Sequence, residues 1–341
     1  MLLVAVLLRL AVMGWYELAK RQSDAADEGL MFPDRHPRRR IALLVFAHPD
    51  DEAMFFSPTL LHLKRQGWQI HFMCFSTGDA DGKGKVRAAE LSKSALMYGV
   101  SRLALVDDPR TRDGMAQVWD EGYIAETVRT YSAHHQAGLI VTFDLLGVSG
   151  HPNHVAVARG VLQAVGEWKK SSATCSLANG EATAKSPAPR PHLALLVTRS
   201  ATSTKYTGLA ATWIGWMAGR VIPGWHYRAT APVLPVVDSN HHGDAARPSA
   251  DVSGGRRRKE VERQPQPPPR LPASSPSSSS PLVYGETFSI LVPFTGVLTA
   301  YQGMSRHASQ FVWYRWLFVF FSSYGFVNEL VRIDDDERGG T

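Results

Sequence analysis

Ile41-Ala42-Leu43-Leu44-Val45-Phe46 runs straight into Ala47-His48-Pro49-Asp50-Asp51-Glu52. The six apolar residues are too few for a typical helix and are β-branched in part, so they read as a buried strand. One imidazole and three carboxylates follow at the carboxyl end of that strand, which is where open α/β sheets place their sites.

Outward from this stretch the chain alternates. Met54–Gln66 is expected to be helix, Gln69–Phe75 strand, Lys85–Tyr98 a helix closed by Gly99, Leu103–Val106 strand, Ile124–His135 helix and Leu139–Phe143 strand. Asp144–His154 then forms a loop, Val155–Lys170 a helix with apolar residues at three and four, and Leu193–Thr198 a further strand. Such alternation predicts an α/β fold: a Rossmann-like, mostly parallel sheet with helices on both faces. Loops from different strands then meet along one edge.

Two segments interrupt the pattern. Ser171–Pro191, rich in Ser, Ala, Thr and Pro, is expected to be an inserted loop, and Asn240–Pro281 a disordered insertion with the basic run Arg256-Arg257-Arg258-Lys259 as a solvated charge cluster. The catalytic domain is expected over 41–239, after a basic spacer at 20–40, with 282–341 as its aromatic-rich C-terminal extension. In that extension Phe311–Val327 carries nine aromatic side chains. It suits either a membrane interface or a core-packed helix, as the tryptophan-rich Ile214–Gly224 also suits apolar surroundings.

At 341 residues the chain can bury a sizeable core. Its net charge of +6 favours anionic partners, and with no basic-aromatic nucleic-acid pattern the expected partner is a membrane rather than nucleic acid. Protein partners are not legible. Cys74 and Cys175 give no disulfide framework, and no asparagine begins a glycosylation sequon, which agrees with a catalytic part outside the secretory lumen. Leu2–Ala19 is apolar but for Arg9 and Glu17 and would span roughly 27 Å as a helix, enough for a thin bilayer. Arg9 would cost about 2.5–3.5 kcal/mol there. Lys20, Arg21, Arg35, Arg38, Arg39 and Arg40 all follow the segment, so it is expected to be an N-terminal membrane anchor with the catalytic domain on the cytoplasmic side.

The chemistry lies in two histidine motifs. His48 and Asp51 are close enough to ligate one metal from a single loop, and Gly150-His151-Pro152-Asn153-His154 offers two more imidazoles at a helix start. Two ligands from the first loop and one from the second make the His₂-carboxylate shell of a catalytic zinc, with one position open for water. Iron(II), manganese or cobalt suits the same donors. Amide hydrolysis would further require a base, an oxyanion donor and an acid, and Asp50 and His151 stand in the two motifs.

At these residues, together with Thr77-Gly78-Asp79, Arg87, Glu90 and Asp144, the sequence resembles the PIG-L/LmbE family of zinc-dependent sugar de-N-acetylases. The resemblance covers roughly 40–198. It implies zinc ligands His48, Asp51 and His154, general base Asp50, and His151 as oxyanion donor or acid. It also implies Asp144 as a carboxylate orienting His151. Glu52 would support the start of the following helix. Ser309–Leu317 is similar to the terminus of eukaryotic members of the family. These imply an enzyme that deacetylates the glycolipid N-acetylglucosaminyl-phosphatidylinositol, the second step of GPI-anchor biosynthesis, in the endoplasmic reticulum membrane. The alternatives are a deacetylase of a soluble N-acetylglucosaminide and a non-catalytic membrane-anchored binding protein of the same fold.

Overall fold

A computed structural model of the chain describes residues 40–178, 190–198, 283–292 and 294–334, with the isolated residues 14 and 205. Strand β1 is Ile41–Phe46, followed by the short helices α1 (Asp51–Phe55) and α2 (Ser57–Arg65) and by β2 (Gln69–Cys74). Helix α3 is Gly84–Tyr98, β3 Arg102–Leu105, α4 Glu121–His135, β4 Leu139–Phe143, α5 Pro152–Ala178 and β5 His192–Leu196. The C-terminal part adds β6 (Val283–Leu291), α6 (Phe294–Arg306), α7 (Trp313–Phe321) and β7 (Val327–Asp334).

The strands form a seven-stranded sheet in the order β3-β2-β1-β4-β5-β7-β6. The first five pair in parallel, as the alternation predicts, while β7 runs antiparallel to both β5 and β6. From β1 the chain proceeds outward to β2, whereas β4 lies on the other side of β1. The sheet therefore changes direction between β1 and β4, and the loops leaving their carboxyl ends diverge to open a crevice. Both histidine motifs begin on these two loops and run into the helices that follow, with Asp51 opening α1 and His154 in the first turn of α5.

Strand periodicity sorts the core. Leu44 and Phe46 pack with Leu60, Leu91, Ala300 and Met304 on one face of the sheet, and Leu43 and Val45 with Ile124, Val128, Val157 and Val161 on the other. Each such buried side chain contributes roughly 1.5–3 kcal/mol, so the crevice sits on a rigid base.

Three expectations change. The single helix over Met54–Gln66 is two helices meeting at Phe56, because Pro58 starts the second and cannot continue a helix hydrogen-bonded to the first. Ser171–Pro191 does not begin as a loop. Helix α5 continues through Ala178, since residues 171–178 contain neither glycine nor proline. Finally, Phe311–Val327 is not packed into the core along its whole length. Val319, Tyr324 and Phe326 are buried, whereas Trp313, Tyr314, Trp316 and Phe321 are exposed.

No helix among the described residues is long and apolar enough to cross a membrane. The anchor expected at 2–19, apart from isolated Gly14, lies outside those residues, as do Ile214–Gly224 and Asn240–Pro281.

Candidate active site

The loop after β1 folds around its own carboxylates. Asp51 Oδ2 accepts the backbone N–H groups of His48 at 2.8 Å and Ala47 at 3.2 Å, which closes the turn and aims the other oxygen inward. Asp50 has φ 110°, a left-handed conformation that costs a non-glycine residue on the order of 1–3 kcal/mol. Its N–H donates to Glu52 Oε2 at 3.1 Å, which holds the conformation in place. Glu52 is fully buried, and its Oε1 meets Ser94 Oγ at 2.6 Å and His307 Nε2 at 2.5 Å. The expectation for Glu52 as a helix-start carboxylate is thus incomplete, because it is also the hub joining α1, α3 and the segment after α6.

Arg87 on α3 completes this loop. Its guanidinium donates to the carbonyls of Pro49 at 2.8 Å and Gly78 at 2.9 Å, and lies 3.7 Å from Asp50 Oδ2 and 3.8 Å from Asp113 Oδ2. A Cβ on Gly78 would meet that guanidinium at 2.3 Å, so only glycine admits it. Glu90, one turn along, accepts the N–H and hydroxyl of Ser309 at 2.8 and 2.7 Å.

The loop after β4 is organised by Asp144. Its carboxylate accepts the N–H groups of Leu146 at 3.0 Å, Gly147 at 3.1 Å and Thr198 at 2.6 Å, with the Thr198 hydroxyl at 2.5 Å. None of its bonds among the described residues comes from His151, which corrects the expectation that Asp144 orients that ring. What it orients is Gly147, whose carbonyl accepts from His154 Nδ1 at 3.1 Å, leaving Nε2 as a free donor atom for the site. A histidine ligand with its second nitrogen on a carbonyl is how metal sites lock ring orientation. Burial pushes the Asp144 carboxyl up despite these four bonds. Val148 in the same turn has φ 63°, unusual for a β-branched residue, and its N–H is held by Thr198 Oγ1 at 2.8 Å.

The two loops converge. Asp51 Oδ1 lies 3.3 Å from His154 Nε2, and Asp51 Oδ2 lies 3.7 Å from His48 Nδ1. The rings of His48, His151 and His154 can each offer a nitrogen within 4.8 Å of the others. Burial alone would raise the Asp51 carboxyl, but the imidazoles of His154 and His48 and the loop N–H hold it well below the usual carboxylate range. His151 is half-buried. Burial, then the neighbouring His154 and His48, lower it to about 4. Its Nδ1 accepts the Asn153 N–H at 3.3 Å, which places the ring proton on Nε2.

Donor spacing is the test of whether a metal fits. Ligand bonds of about 2.0–2.1 Å in a tetrahedral shell put donor atoms about 3.3 Å apart. The Asp51–His154 pair has that separation, and the nitrogen and carboxylate donors are of the type that zinc takes. A metal therefore fits here. The His48, His151 and His154 rings form the group of donors that could hold it, with Asp51 beside His154.

Two participants escaped the motifs. Asp113 Oδ1 lies 3.0 Å from His48 Nε2, and that nitrogen also meets Asn153 Nδ2 at 2.9 Å. The Asp113 carboxyl is lowered: burial opposes this, but its bond to His48 and the charges of His48 and Arg87 prevail. Nothing in the spacing around Asp113 distinguishes it from a loop aspartate. Arg315 on α7 donates to Asp50 Oδ2. It stands inside the Ser309–Leu317 block, but 265 positions from its partner.

The fold and the site together define a class: a doubly wound α/β protein with a histidine-carboxylate crevice at the point where its sheet reverses. Residues 43–165 match the family model described as PIG-L: GlcNAc-PI de-N-acetylase. It is 41% identical over 126 residues to a probable N-acetylglucosaminyl-phosphatidylinositol de-N-acetylase of Schizosaccharomyces pombe, covering 36% of this chain and 51% of that one. The enzyme of that name from Bos taurus is 40% identical over 139 residues, covering 40% and 55%. A probable counterpart in Dictyostelium discoideum is 27% identical over 297 residues, covering 86% and 94%. The chain thus spans about half the length of the first two relatives and nearly all of the third.

Proposed function

We propose that this chain is a metal-dependent amide hydrolase that removes the acetyl group from N-acetylglucosaminyl-phosphatidylinositol, a step of GPI-anchor biosynthesis. The observation that carries this reading is the meeting of the two strand-end loops, with Asp51 Oδ1 at 3.3 Å from His154 Nε2 and Asp50 and His151 on the same two loops. In this reading His48, Asp51 and His154 hold the metal, most simply zinc. The bound metal would supply Lewis acidity toward the acetyl carbonyl and lower the pKa of water.

The residues of the chain carry the protons. Asp50, fixed between Glu52 and the Arg87 guanidinium, takes a proton from the attacking water as the oxygen adds to the carbonyl carbon. His151 donates its Nε2–H to the oxyanion. As the carbon–nitrogen bond breaks, Asp50 returns the proton to the departing amine, which leaves acetate and the free glucosamine. Asp144 holds Gly147, and through it His154, while Asp113 and Asn153 fix the His48 ring.

The same reading places the site at a membrane surface. Helix α7 presents Trp313, Tyr314, Trp316, Leu317 and Phe321 outward, a set suited to the head-group layer of a bilayer. With an anchor at 2–19, it is the arrangement expected of a single-pass protein of the endoplasmic reticulum whose catalytic domain faces the cytoplasm.

The test is turnover of the acetylated glycolipid by the purified full chain, followed by chelation and metal add-back. Acetate release that stops on chelation and returns with zinc is the expected result. No release with metal restored would overturn the function.

A further inference from the structure

We infer that Arg315 is the specificity-determining residue for the anionic linker of the substrate: its guanidinium leaves Asp50 to take the phosphodiester between inositol and lipid. The inference rests on the proposed glycolipid substrate. It begins at Asp50, whose carboxylate meets two guanidinium groups, Arg87 lying also against Asp113 and Arg315, among the described residues, against Asp50 alone. Arg87 is committed to the fold, since it is buried and bonded to two carbonyls and its neighbouring glycine admits nothing larger. Arg315 is different. Its side chain keeps 20% of its surface exposed, and Asp50 is its one side-chain partner among the described residues. A guanidinium has five N–H donors, so most of its capacity for a second anion is unused.

Position supplies the direction. Arg315 is the only charged residue of α7, and the residues beside it, Trp313, Tyr314, Trp316 and Leu317, form the exposed apolar face. A lipid substrate must present its acetamide to the crevice and its acyl chains to that apolar face, so the phosphodiester lies between them, where Arg315 stands. A guanidinium at the rim is a cation whose planar fork matches two phosphate oxygens. Transfer of the guanidinium from carboxylate to phosphate also releases Asp50 to act as base, so the correct substrate frees the group that attacks it.

The experiment compares two substrates on the full-length protein loaded with metal: acetylated glucosaminyl-phosphatidylinositol, and the same acetylated glucosaminyl-inositol without the phosphate. The quantity read is the ratio of their kcat/KM values. Arg315→Gln lowers this ratio about 10- to 100-fold, as expected for loss of a charge-assisted pair, with most of the loss in KM for the lipid. Arg315→Lys, which keeps the charge but not the fork, recovers part of it. An unchanged ratio in Arg315→Gln, with wild type active on the lipid, overturns the inference and leaves the function standing. Wild type that hydrolyses neither substrate overturns the function and the inference together.

Discussion

The two loops that build the site are held in opposite ways. The His48–Glu52 loop depends on partners far along the chain: Arg87 for its Pro49 carbonyl, His307 for Glu52 and Arg315 for Asp50. The His151–His154 loop is held close to home, by Asp144 and Gly147 a few residues upstream, with Thr198 as its distant support. A loop bearing three carboxylates in one turn has charge to neutralise and a strained Asp50 to hold, which needs cations and donors from other elements. A loop of imidazoles needs only its ring orientations set, and a neighbouring carbonyl does that.

The sharpest way to break this comparison is to ask whether both loops serve one centre. Asp50→Asn is expected to lower kcat about 10²–10⁴-fold with metal content unchanged. His154→Ala removes activity and metal together, as measured by metal analysis of the purified protein. A His154→Ala protein with full metal would show that the loops serve separate centres.

Stability separates the two kinds of support. Glu52→Ala strips the acceptor from Ser94, His307 and the Asp50 N–H in a dry interior, and is expected to cost about 3 kcal/mol or more in urea denaturation. Thr198→Ala removes the hydroxyl between Asp144 and Val148 and should cost about 1–2 kcal/mol by the same measurement. Equal losses would erase the distinction between remote and local support.

The smallest effect concerns a baseline common to both loops. Burial, and then nearby charge, depresses both His62 and His71 to about 4. A histidine with a lowered folded pKa contributes stability above its unfolded value of about 6.5 and loses it as pH falls toward 4, because the unfolded chain takes up protons first. Denaturation of His71→Phe at pH 7.5 and pH 5 is expected to show a smaller acid-induced drop than wild type. A drop of the same size would locate the acid sensitivity elsewhere, the site carboxylates included.

Much of the frame was legible from local pattern. The bounds of β1 and β4 agree to the residue, because Ile41–Phe46 and Leu139–Phe143 are short apolar runs closed by polar residues, and all of the donors expected at the crevice lie on the loops that follow them or in the first turns of the next helices. What stayed hidden is long-range. The break at Phe56 was signalled by Pro58, but the apolar spacing on either side of it masked the signal. Asp113 and His307 carry no mark of their roles, since a distant partner, 255 positions away for His307, leaves no periodicity in the sequence. Asp144 was assigned to His151, whereas its bonds go to Leu146, Gly147 and Thr198, because spacing ranks candidates without fixing which way a side chain turns.

The place of β7 in the sheet has a consequence for biosynthesis. It is threaded between β5 and β6, and the residues just before it supply His307 and Arg315 to a loop made near the start of the domain. At about 5–20 residues per second, roughly 15–55 s separate the emergence of β1 from that of β7 on the ribosome. Throughout that interval Glu52 has no His307, and the motif must remain hydrated rather than buried. Translation order thus makes the catalytic turn one of the last parts of the domain to close, although its residues are among the first to be made.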